Sequence, residues 1–275
     1  MGKLVWLASY PKSGNTWLRA FLHNLMINPP QPVPLDELVR FCHQDSDAQW
    51  YQAVLDGKAD AVTYCQSLET RRTASLSKEE VARLRPITHE IMTRTHSDSV
   101  FVKTHNALIT GRGTPTITMA HTAGAIYVAR NPLDVAPSYA AHMGKTIDET
   151  IEYIANNMQT KKTDKAVYEY RGSWSLHVES WTRAPSPGLH VVRYEDLKAD
   201  PETHFGALCR FLGLQPEAER LRKAIAFSSF EQLRRQEESE GFREKTLPQE
   251  RFFRRGEAGG WRDTLTTEQA ERVVA

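Results

Sequence analysis

The hydrophobic and polar positions at the start of the chain predict a strand, a turn and a helix. Residues 4–8 are a short apolar run, which is typical of a buried strand. Residues 9–16 are polar and include Pro, Gly, Ser and Asn, which favours a turn. From Trp17 the apolar residues recur at helical spacing until Pro29 and Pro30, which cannot continue a helix. The chain therefore opens with a predicted strand-loop-helix unit.

Further apolar runs predict strands at residues 100–102, 124–129 and 189–193. The run at 124–129 is continuously apolar, which is typical of a central parallel strand covered on both faces. Helical patterns occupy much of the chain between these runs, and residues 235–250 are highly charged and predict a loop. We therefore predict one α/β domain over residues 1–275, with three layers and a central parallel β-sheet flanked by helices. The predicted helices cover residues 35–41, 48–55, 133–142, 147–157, 173–181, 201–212 and 216–226, and a capped helix start is predicted at Ser77 with Glu80.

The turn after the first strand has the composition of an anion site. Free backbone N–H groups at a helix start, together with the helix dipole, favour negative charge there. Lys12 adds a positive charge, Ser13, Asn15 and Thr16 add neutral donors, and Gly14 lets the backbone approach a ligand closely. An ordinary turn with a solvated lysine is the alternative. The order of residues differs from a Walker A loop, because the lysine precedes the glycine.

Residues 10–17, YPKSGNTW, resemble the 5′-phosphosulfate loop of the PAPS-dependent sulfotransferases, whose form is close to [ST]YPKSG[TN]TW. The family is of the cytosolic type and has a fold similar to the P-loop kinases. The resemblance implies that this loop binds the donor PAPS, and that the product PAP remains after transfer. The residues it assigns to the donor are Lys12, Ser13, Gly14, Asn15, Thr16 and Trp17, with Trp17 beside the adenine.

Residues 103–105, KTH, follow the strand predicted at 100–102. A lone histidine after a strand is more often structural or exposed than catalytic. The triplet resembles the KTH of the same family, in which the histidine is the catalytic base and the lysine faces the transferred group. The resemblance implies that His105 is the base and that Lys103 faces the sulfuryl group, at a strand end where open α/β sheets bind ligands.

Residues 126–139, IYVARNPLDVAPSY, resemble the 3′-phosphate motif of the family, YVxRNPxDxxxSY. The resemblance implies that Arg130 and Ser138 bind the 3′-phosphate of the donor. An arginine at a strand end with an unrelated helix serine is the alternative. Residues 194–197, YEDL, resemble a family tetrapeptide whose tyrosine lies near the nucleotide, which assigns Tyr194.

Two segments near the end of the chain complete the resemblance. Residues 228–230, SSF, resemble the family's TSF with serine in place of threonine, which implies that Ser228 and Phe230 contact the nucleotide. Residues 254–262 resemble RKGxxGxWK and imply that Arg254, Arg255 and Gly256 hold phosphate. On composition alone, this second segment is a basic surface loop. Residues 262–271 resemble the dimer motif KxxxTVxxxE, with Arg for Lys and Thr for Val, and so offer a homodimer contact.

Composition and charge limit the classes of binding partner that we expect. The net charge is +1 over 275 residues, so no overall field favours nucleic acid or an anionic membrane. There is no run of 18 apolar residues and no secretory apolar core near the start, so neither a membrane span nor a leader is predicted. Cys42, Cys65 and Cys209 have no zinc spacing, which predicts reduced thiols, a cytoplasmic protein and no metal site.

The sequence therefore predicts a sulfotransferase that moves the sulfuryl group of PAPS in line to the hydroxyl of a small phenol or alcohol, releasing PAP. No metal is required, because the transferred group carries less negative charge than a phosphoryl group. In this reaction Lys12 also stabilises the leaving phosphate and is counted with His105 and Lys103 as catalytic. A nucleotide kinase of related fold and a non-catalytic PAP-binding protein are the alternatives. Residues 31–98 are expanded relative to the family pattern, which is consistent with an acceptor pocket or lid and equally with peripheral packing.

Overall fold

The computed structural model describes residues 2–57, 73, 75–163, 165–246, 248 and 250–275. Cys65 and part of the expanded segment at 31–98 lie outside the described residues. Cys42 and Cys209 are both buried, and the thiol of Cys42 donates a hydrogen bond to the carbonyl oxygen of His43 at 3.5 Å.

A parallel β-sheet forms the centre of the fold and is flanked by helices, as predicted. Within the described residues, five strands form this sheet in the order β2-β3-β1-β6-β9, and two short hairpins pair β4 with β5 and β7 with β8. In chain order the strands are β1 Lys3–Ser9, β2 His43–Gln44, β3 Ser99–Thr104, β4 Thr110–Gly111, β5 Thr114–Pro115, β6 Thr122–Ala129, β7 Thr160–Thr163, β8 Ala166–Tyr170 and β9 Leu189–Arg193.

The register of β1 on β3 places two of the segments singled out in the sequence at one edge of the sheet. The strands are parallel, with Leu4 opposite Val100 and Ala8 opposite Thr104. Every residue of β1 after Lys3 is buried, as expected for a parallel strand covered on both faces. Because parallel strands run in the same direction, Ser9 and His105 both emerge at the carboxyl edge, where α/β sheets bind their ligands.

The helices agree in place with most of the predicted ones. The predicted cap at Ser77 is confirmed, since Ser77 and Glu80 form a reciprocal capping box at the start of α4. The first helix ends before the paired prolines, with Asn28 in the left-handed conformation. The helices are α1 Asn15–Ile27, α2 Leu38–Phe41, α3 Ala48–Leu55, α4 Lys78–Met92, α5 Pro132–Met143, α6 Ile147–Ala155, α7 Trp174–Thr182, α8 Tyr194–Ala199, α9 Pro201–Phe211, α10 Ala218–Phe227, α11 Phe230–Glu240 and α12 Thr267–Val274.

The charged segment at 235–250 was predicted as a loop, and this prediction is wrong for its first part. Helix α11 continues to Glu240, because its polar surface is interrupted by the buried side chains of Leu233, Gln236 and Glu237. Glu237 is retained inside because its carboxylate accepts the backbone N–H groups of Phe252 and Phe253 at 2.6 and 2.8 Å. Charge density alone does not separate a solvated loop from a helix that buries one face.

The chain divides into two compact units. The first unit consists of Met1–Tyr10, Cys42–Tyr127 and Asn156–Leu189, and the second of Pro11–Phe41, Val128–Ala155 and His190–Ala275. The second unit has a core cluster of aromatic and aliphatic residues. This cluster contains Ala20, Leu35, Leu38, Leu233, Phe242 and Phe253, with Trp17, Phe230 and Phe252 packed against it.

Candidate functional site

The turn before α1 has a backbone geometry that allows an anion to approach closely. Lys12 and Gly14 have positive φ angles of 66° and 103°, and Gly14 is the N-cap of the helix without a side chain to cap it. A Cβ atom on Gly14 would lie 2.8 Å from Cδ2 of Tyr194. Glycine is therefore required here both by backbone conformation and by the tyrosine ring packed against it. The helix start leaves backbone N–H groups and the positive end of the dipole at the turn.

Arg130 joins this turn to the end of the chain. Its Nη1 donates to the carbonyl oxygen of Lys12 at 2.9 Å, and its Nη2 donates to the carbonyl oxygen of Glu257 at 2.9 Å. The guanidinium also lies over the ring of Tyr194, 4.3 Å from its centroid. These contacts bring three of the sequence-predicted segments together within the second unit, around one cation.

Aromatic rings surround the turn. The Lys12 ammonium lies 3.9 Å from the centroid of the Phe252 ring. The Trp17 ring meets Tyr194 edge to face at 5.5 Å and Phe205 at 5.4 Å. Burial raises the pKa of Tyr194. The rings lower the local dielectric constant and so strengthen the interaction of Lys12 with any anion in the turn.

The glycine-rich segment after Arg255 is anchored by Asp134, to which the sequence analysis assigned no role. Asp134 is buried, and its two carboxylate oxygens accept the N–H groups of Gly259 at 2.7 Å and Trp261 at 3.0 Å. Asp134 occupies the Asp position of the 3′-phosphate motif, so the motif itself carried the signal. Gly256 has a φ of 66°, and a Cβ there would lie 2.1 Å from the ring of Phe230.

The other residues predicted to bind the nucleotide also lie in the second unit. Ser138 is partly exposed on α5. The hydroxyl of Ser228 is buried and donates to the carbonyl oxygen of Ala224 at 2.9 Å, closing the end of α10. Phe230 begins α11. Burial and the neighbouring Arg255 lower the pKa of Arg254, and Arg255 donates to Gly260 O and Thr264 Oγ1 at 3.1 and 2.7 Å.

The turn before α1 has the hydrogen-bond donors that an anionic phosphate ligand would need. The hydroxyl of Ser13 is buried and has no hydrogen-bond partner among the residues that the structure describes. A buried hydroxyl without a partner costs about 1–3 kcal/mol, so such groups are retained where a ligand satisfies them. Together with Lys12, Arg130 and the start of α1, Ser13 fits a phosphate-bearing nucleotide.

The first unit carries His105, at the end of β3. Its Nδ1 lies 2.7 Å from the carbonyl oxygen of Ser9. A carbonyl oxygen only accepts, so Nδ1 carries the proton and donates. The second nitrogen, Nε2, therefore has a lone pair available to take a proton. Burial and the nearby Lys103 lower the pKa of His105 well below its usual value, so the ring is neutral at pH 7.

Asp45 fixes the segment that carries Lys103 and His105. Its buried carboxylate accepts hydrogen bonds from Thr104 Oγ1 at 2.9 Å and Asn106 Nδ2 at 2.6 Å, and its backbone N–H bonds to the carbonyl oxygen of Lys103 at 2.9 Å. His89 donates to it through Nε2 at 2.9 Å. Although burial opposes ionisation, the contacts of His89 lower the pKa of Asp45. No motif pointed to this residue.

A second buried carboxylate, Glu169, lies close to His105. It accepts from Ser46 Oγ at 2.8 Å and from Arg171 Nε at 3.0 Å. Despite burial, the neighbouring Arg171 lowers the pKa of Glu169 to about 2, so it is ionised. No motif pointed to this pair, because Glu169 lies in a hairpin strand without motif character and Arg171 directly follows it.

His177 supports the backbone of His105. Its Nε2 donates to the carbonyl oxygen of His105 at 3.2 Å, and its Nδ1 accepts the hydroxyl of Tyr127 at 2.9 Å. Burial lowers the pKa of His177 to about 3, which keeps the ring neutral and this pair of bonds intact. His105 is thus held by its side chain at Ser9 and by its carbonyl oxygen at His177.

The second unit thus carries a turn with the hydrogen-bond donors of an anion site, and the first unit carries a neutral histidine whose orientation is fixed. The family model described as the sulfotransferase domain matches residues 3–275. The chain belongs to this family.

Relatives agree with this assignment. The chain is 33% identical over 158 residues to cytosolic sulfotransferase 12 of Arabidopsis thaliana, covering 54% of this chain and 47% of the relative. It is 31% identical over 152 residues to sulfotransferase 2A6 of Rattus norvegicus, covering 53% and 52%. The chain spans about half the length of the curated relatives it matches.

Solved structures support the fold. Retinol dehydratase in complex with androsterone and the inactive cofactor PAP superposes with a TM-score of 0.63 at 18% identity, covering 98% of this chain and 78% of that one. Mouse sulfotransferase SULT7A1 complexed with PAP gives 0.59 at 18% identity, covering 98% and 81%. In the part of the chain that the structure describes, no helix has both the length and the apolar surface that a bilayer crossing needs.

Proposed function

We propose that the protein is a PAPS-dependent sulfotransferase that transfers the sulfuryl group to the hydroxyl of a small phenol or alcohol and releases PAP. Membership of the family over residues 3–275 supports the class of reaction. The observation that carries the proposal is the turn at Lys12, which is fixed by Arg130. In this turn the buried Ser13 hydroxyl lies beside a helix start and has no hydrogen-bond partner in the described part of the chain.

Each residue in the proposed mechanism has a defined chemical task. Nε2 of His105 takes the proton of the acceptor hydroxyl, and the resulting oxygen attacks sulfur as the bond from sulfur to the leaving phosphate breaks. The Lys12 ammonium stabilises the negative charge that develops on the bridging oxygen, and Lys103 holds the sulfuryl oxygens. The proton ends on His105 and passes to solvent after product release.

The donor is held by groups remote from the reacting atoms. Arg130, Ser138 and the segment 254–256 bind the 3′-phosphate, and the α1 start binds the 5′-phosphate. Trp17, Tyr194, Ser228 and Phe230 complete the nucleotide site. Binding energy at the 3′-phosphate positions the donor for in-line attack. The bound donor supplies the activated sulfuryl group, and no metal takes part in the proposed reaction.

Calorimetric titration without metal tests the donor site. PAP should bind at least tenfold more tightly than adenosine 5′-phosphate or ATP, because only PAP has a phosphate for Arg130 and Arg254–Gly256. Equal or tighter binding of ATP would favour a nucleotide kinase. Tight PAP binding without sulfation of any phenol or alcohol in a broad screen would favour a non-catalytic PAP-binding protein.

Two further assignments belong to this proposal. We propose a cytoplasmic location, which the name of the Arabidopsis relative supports. We also propose a homodimer through residues 262–271. Within the second unit, α12 already uses Arg272 and Gln269 to contact Asp148, at 2.5 and 3.1 Å, so the dimer contact must come from its other residues. Sedimentation of the wild type and a Thr267→Arg variant tests the dimer.

A further inference from the structure

The hairpin of β7 and β8 is fixed beside the residues that follow His105. The N–H of Ala107 donates to the carbonyl oxygen of Tyr170 at 2.7 Å, and the N–H of Tyr170 donates to Asn106 Oδ1 at 2.7 Å. The N–H of Arg171 then bonds back to Gln159 O at 3.0 Å. Strand β8 of this hairpin is therefore held to the segment after His105 by one backbone hydrogen bond and one hydrogen bond to the Asn106 side chain, within the first unit.

The register of the hairpin brings Lys161 to the face of Glu169. The two residues are direct partners in the antiparallel pair, and direct partners have Cβ atoms about 4.5–5.5 Å apart on one face. The next lysine points elsewhere, as strand alternation requires. Lys162 donates to the carbonyl oxygen of Leu76 at 3.0 Å, and its ammonium lies 4.8 Å from the ring centroid of Tyr168.

Among the residues that the structure describes, positive charge exceeds negative charge around this face. Glu169 is paired with Arg171, and both side chains are buried. Lys103 and Lys161 add two further cations to this pair. Burial and the positive charges of Arg171 and Lys103 lower the pKa of Lys161, with Glu169 opposing the change. Because the hairpin is hydrogen-bonded to Asn106 and Ala107, directly after His105, Lys161 lies in the surroundings of the proposed base.

Of these three cations, Lys161 has no assigned role in binding PAPS. Arg171 offsets the charge of Glu169, and Lys103 faces the sulfuryl group. Lys161 belongs to none of the segments that resemble a phosphate motif. A half-buried ammonium among like charges is unfavourable unless an anion completes the site.

We infer that the acceptor carries an anionic group, such as a carboxylate, in addition to the hydroxyl that is sulfated, and that Lys161 binds this group. The inference rests on the proposed function and specifies its acceptor class as hydroxy acids. Lys161 anchors the anionic end, and His105 takes the proton from the hydroxyl end. The sulfuryl transfer itself is unchanged.

Paired acceptors test this inference. Each pair differs only in charge: 4-hydroxyphenylacetate against 4-hydroxyphenylacetamide, and 6-hydroxyhexanoate against its amide. With PAPS as donor, the carboxylate of an active pair should have a kcat/KM roughly 10- to 100-fold above that of its amide, the value of one hydrogen bond to a charged group. Lys161→Met should reduce this ratio to about 1, whereas Lys161→Arg should retain most of it.

Lys162→Met is the matched control, because it removes a neighbouring ammonium that faces Tyr168. This variant should keep the preference for the carboxylate. PAP titration of every variant confirms that the protein is folded and binds its nucleotide. A preference unchanged by Lys161→Met, an amide used as well as its acid, or no turnover of any carboxylate by protein that binds PAP would each overturn the inference. Failure to bind PAP would instead contradict the proposed function, and this inference with it.

Discussion

The state of His105 follows from one contact that no motif encodes. Its Nδ1 donates to the carbonyl oxygen of Ser9 at 2.7 Å, which leaves Nε2 as the basic nitrogen. Lys103 and burial keep the ring neutral. The sequence identified the histidine through the resemblance of residues 103–105, but its tautomer depends on a carbonyl group on a different strand.

His105→Ala should lower kcat by about 10²- to 10⁴-fold, the usual contribution of a general base. The affinity for PAP should stay within about twofold of wild type, since His105 is assigned no contact with the nucleotide. Transfer assays with labelled PAPS and PAP calorimetry measure the two quantities. His96→Ala, at an exposed histidine of the same unit, is the control and should change neither. A variant with wild-type turnover would place the base elsewhere.

Two other residues make hydrogen bonds that their motifs did not specify. Ser228 was predicted as a nucleotide contact, and its hydroxyl closes the end of α10 on Ala224 O, so its role at the nucleotide remains a prediction. No role was predicted for Asp134, whose carboxylate accepts hydrogen bonds from two backbone N–H groups of the glycine-rich segment. A motif records which residues recur, whereas the partner of each residue depends on what is folded against it.

Among the elements, the turns around the predicted nucleotide are set by close packing of glycines on aromatic rings. Gly14 lies against Tyr194, and Gly256 lies against Phe230. Both glycines have positive φ angles. These positions therefore combine a backbone requirement with a steric one.

Gly256→Ala should destabilise the protein more than Gly213→Ala does. Both glycines have positive φ angles, 66° and 71°, so each substitution costs about 1–2 kcal/mol of backbone strain. A Cβ at 256 would also lie 2.1 Å from Phe230, whereas nothing lies within 4 Å of one at 213. The overlap adds about 1–3 kcal/mol. Urea unfolding of the two variants measures the difference, and equal losses would mean that Phe230 moves aside freely.

Element boundaries were predicted well where the signal is local. The capping box at Ser77 is present, and the helix predicted at 133–142 spans Pro132–Met143, because each depends on residues within one turn. The prediction of a loop over 235–250 failed, since this charged segment begins inside α11. There burial against the rest of the unit outweighs the local preference.

The whole molecule buries several neutral histidines, which makes its stability dependent on pH. Burial lowers the pKa of His177 to about 3 and that of His43 to about 4. In the unfolded chain these rings titrate near pH 6.5, so the unfolded state binds more protons below that pH. Stability is therefore highest above pH 6.5 and falls as the pH drops toward 3.

Between pH 7 and pH 5, His177 alone should cost about 2 kcal/mol of unfolding free energy. The carboxylates do not counter this loss, because the pKa values of Asp45 and Glu169 are lowered and both stay ionised at pH 5. Urea unfolding at the two pH values measures the change. The imidazole proton signals of His177 should also stay constant across this range in the folded protein. Equal stability at pH 5 and pH 7 would contradict the assignment of neutral buried histidines.

The α/β class and the sulfotransferase family can be inferred from the sequence, together with a turn that is predicted to bind phosphate, since strand and helix periods, caps and short motifs depend on neighbouring residues. Only the tertiary structure decided the tautomer of His105 and the anchoring role of Asp45. It also decided the charged face that holds Glu169, Arg171 and Lys161. The hydrogen bond from Ser46 to Glu169 joins residues 123 positions apart. Contacts of this kind depend on the burial and packing of distant segments, and no local pattern specifies them.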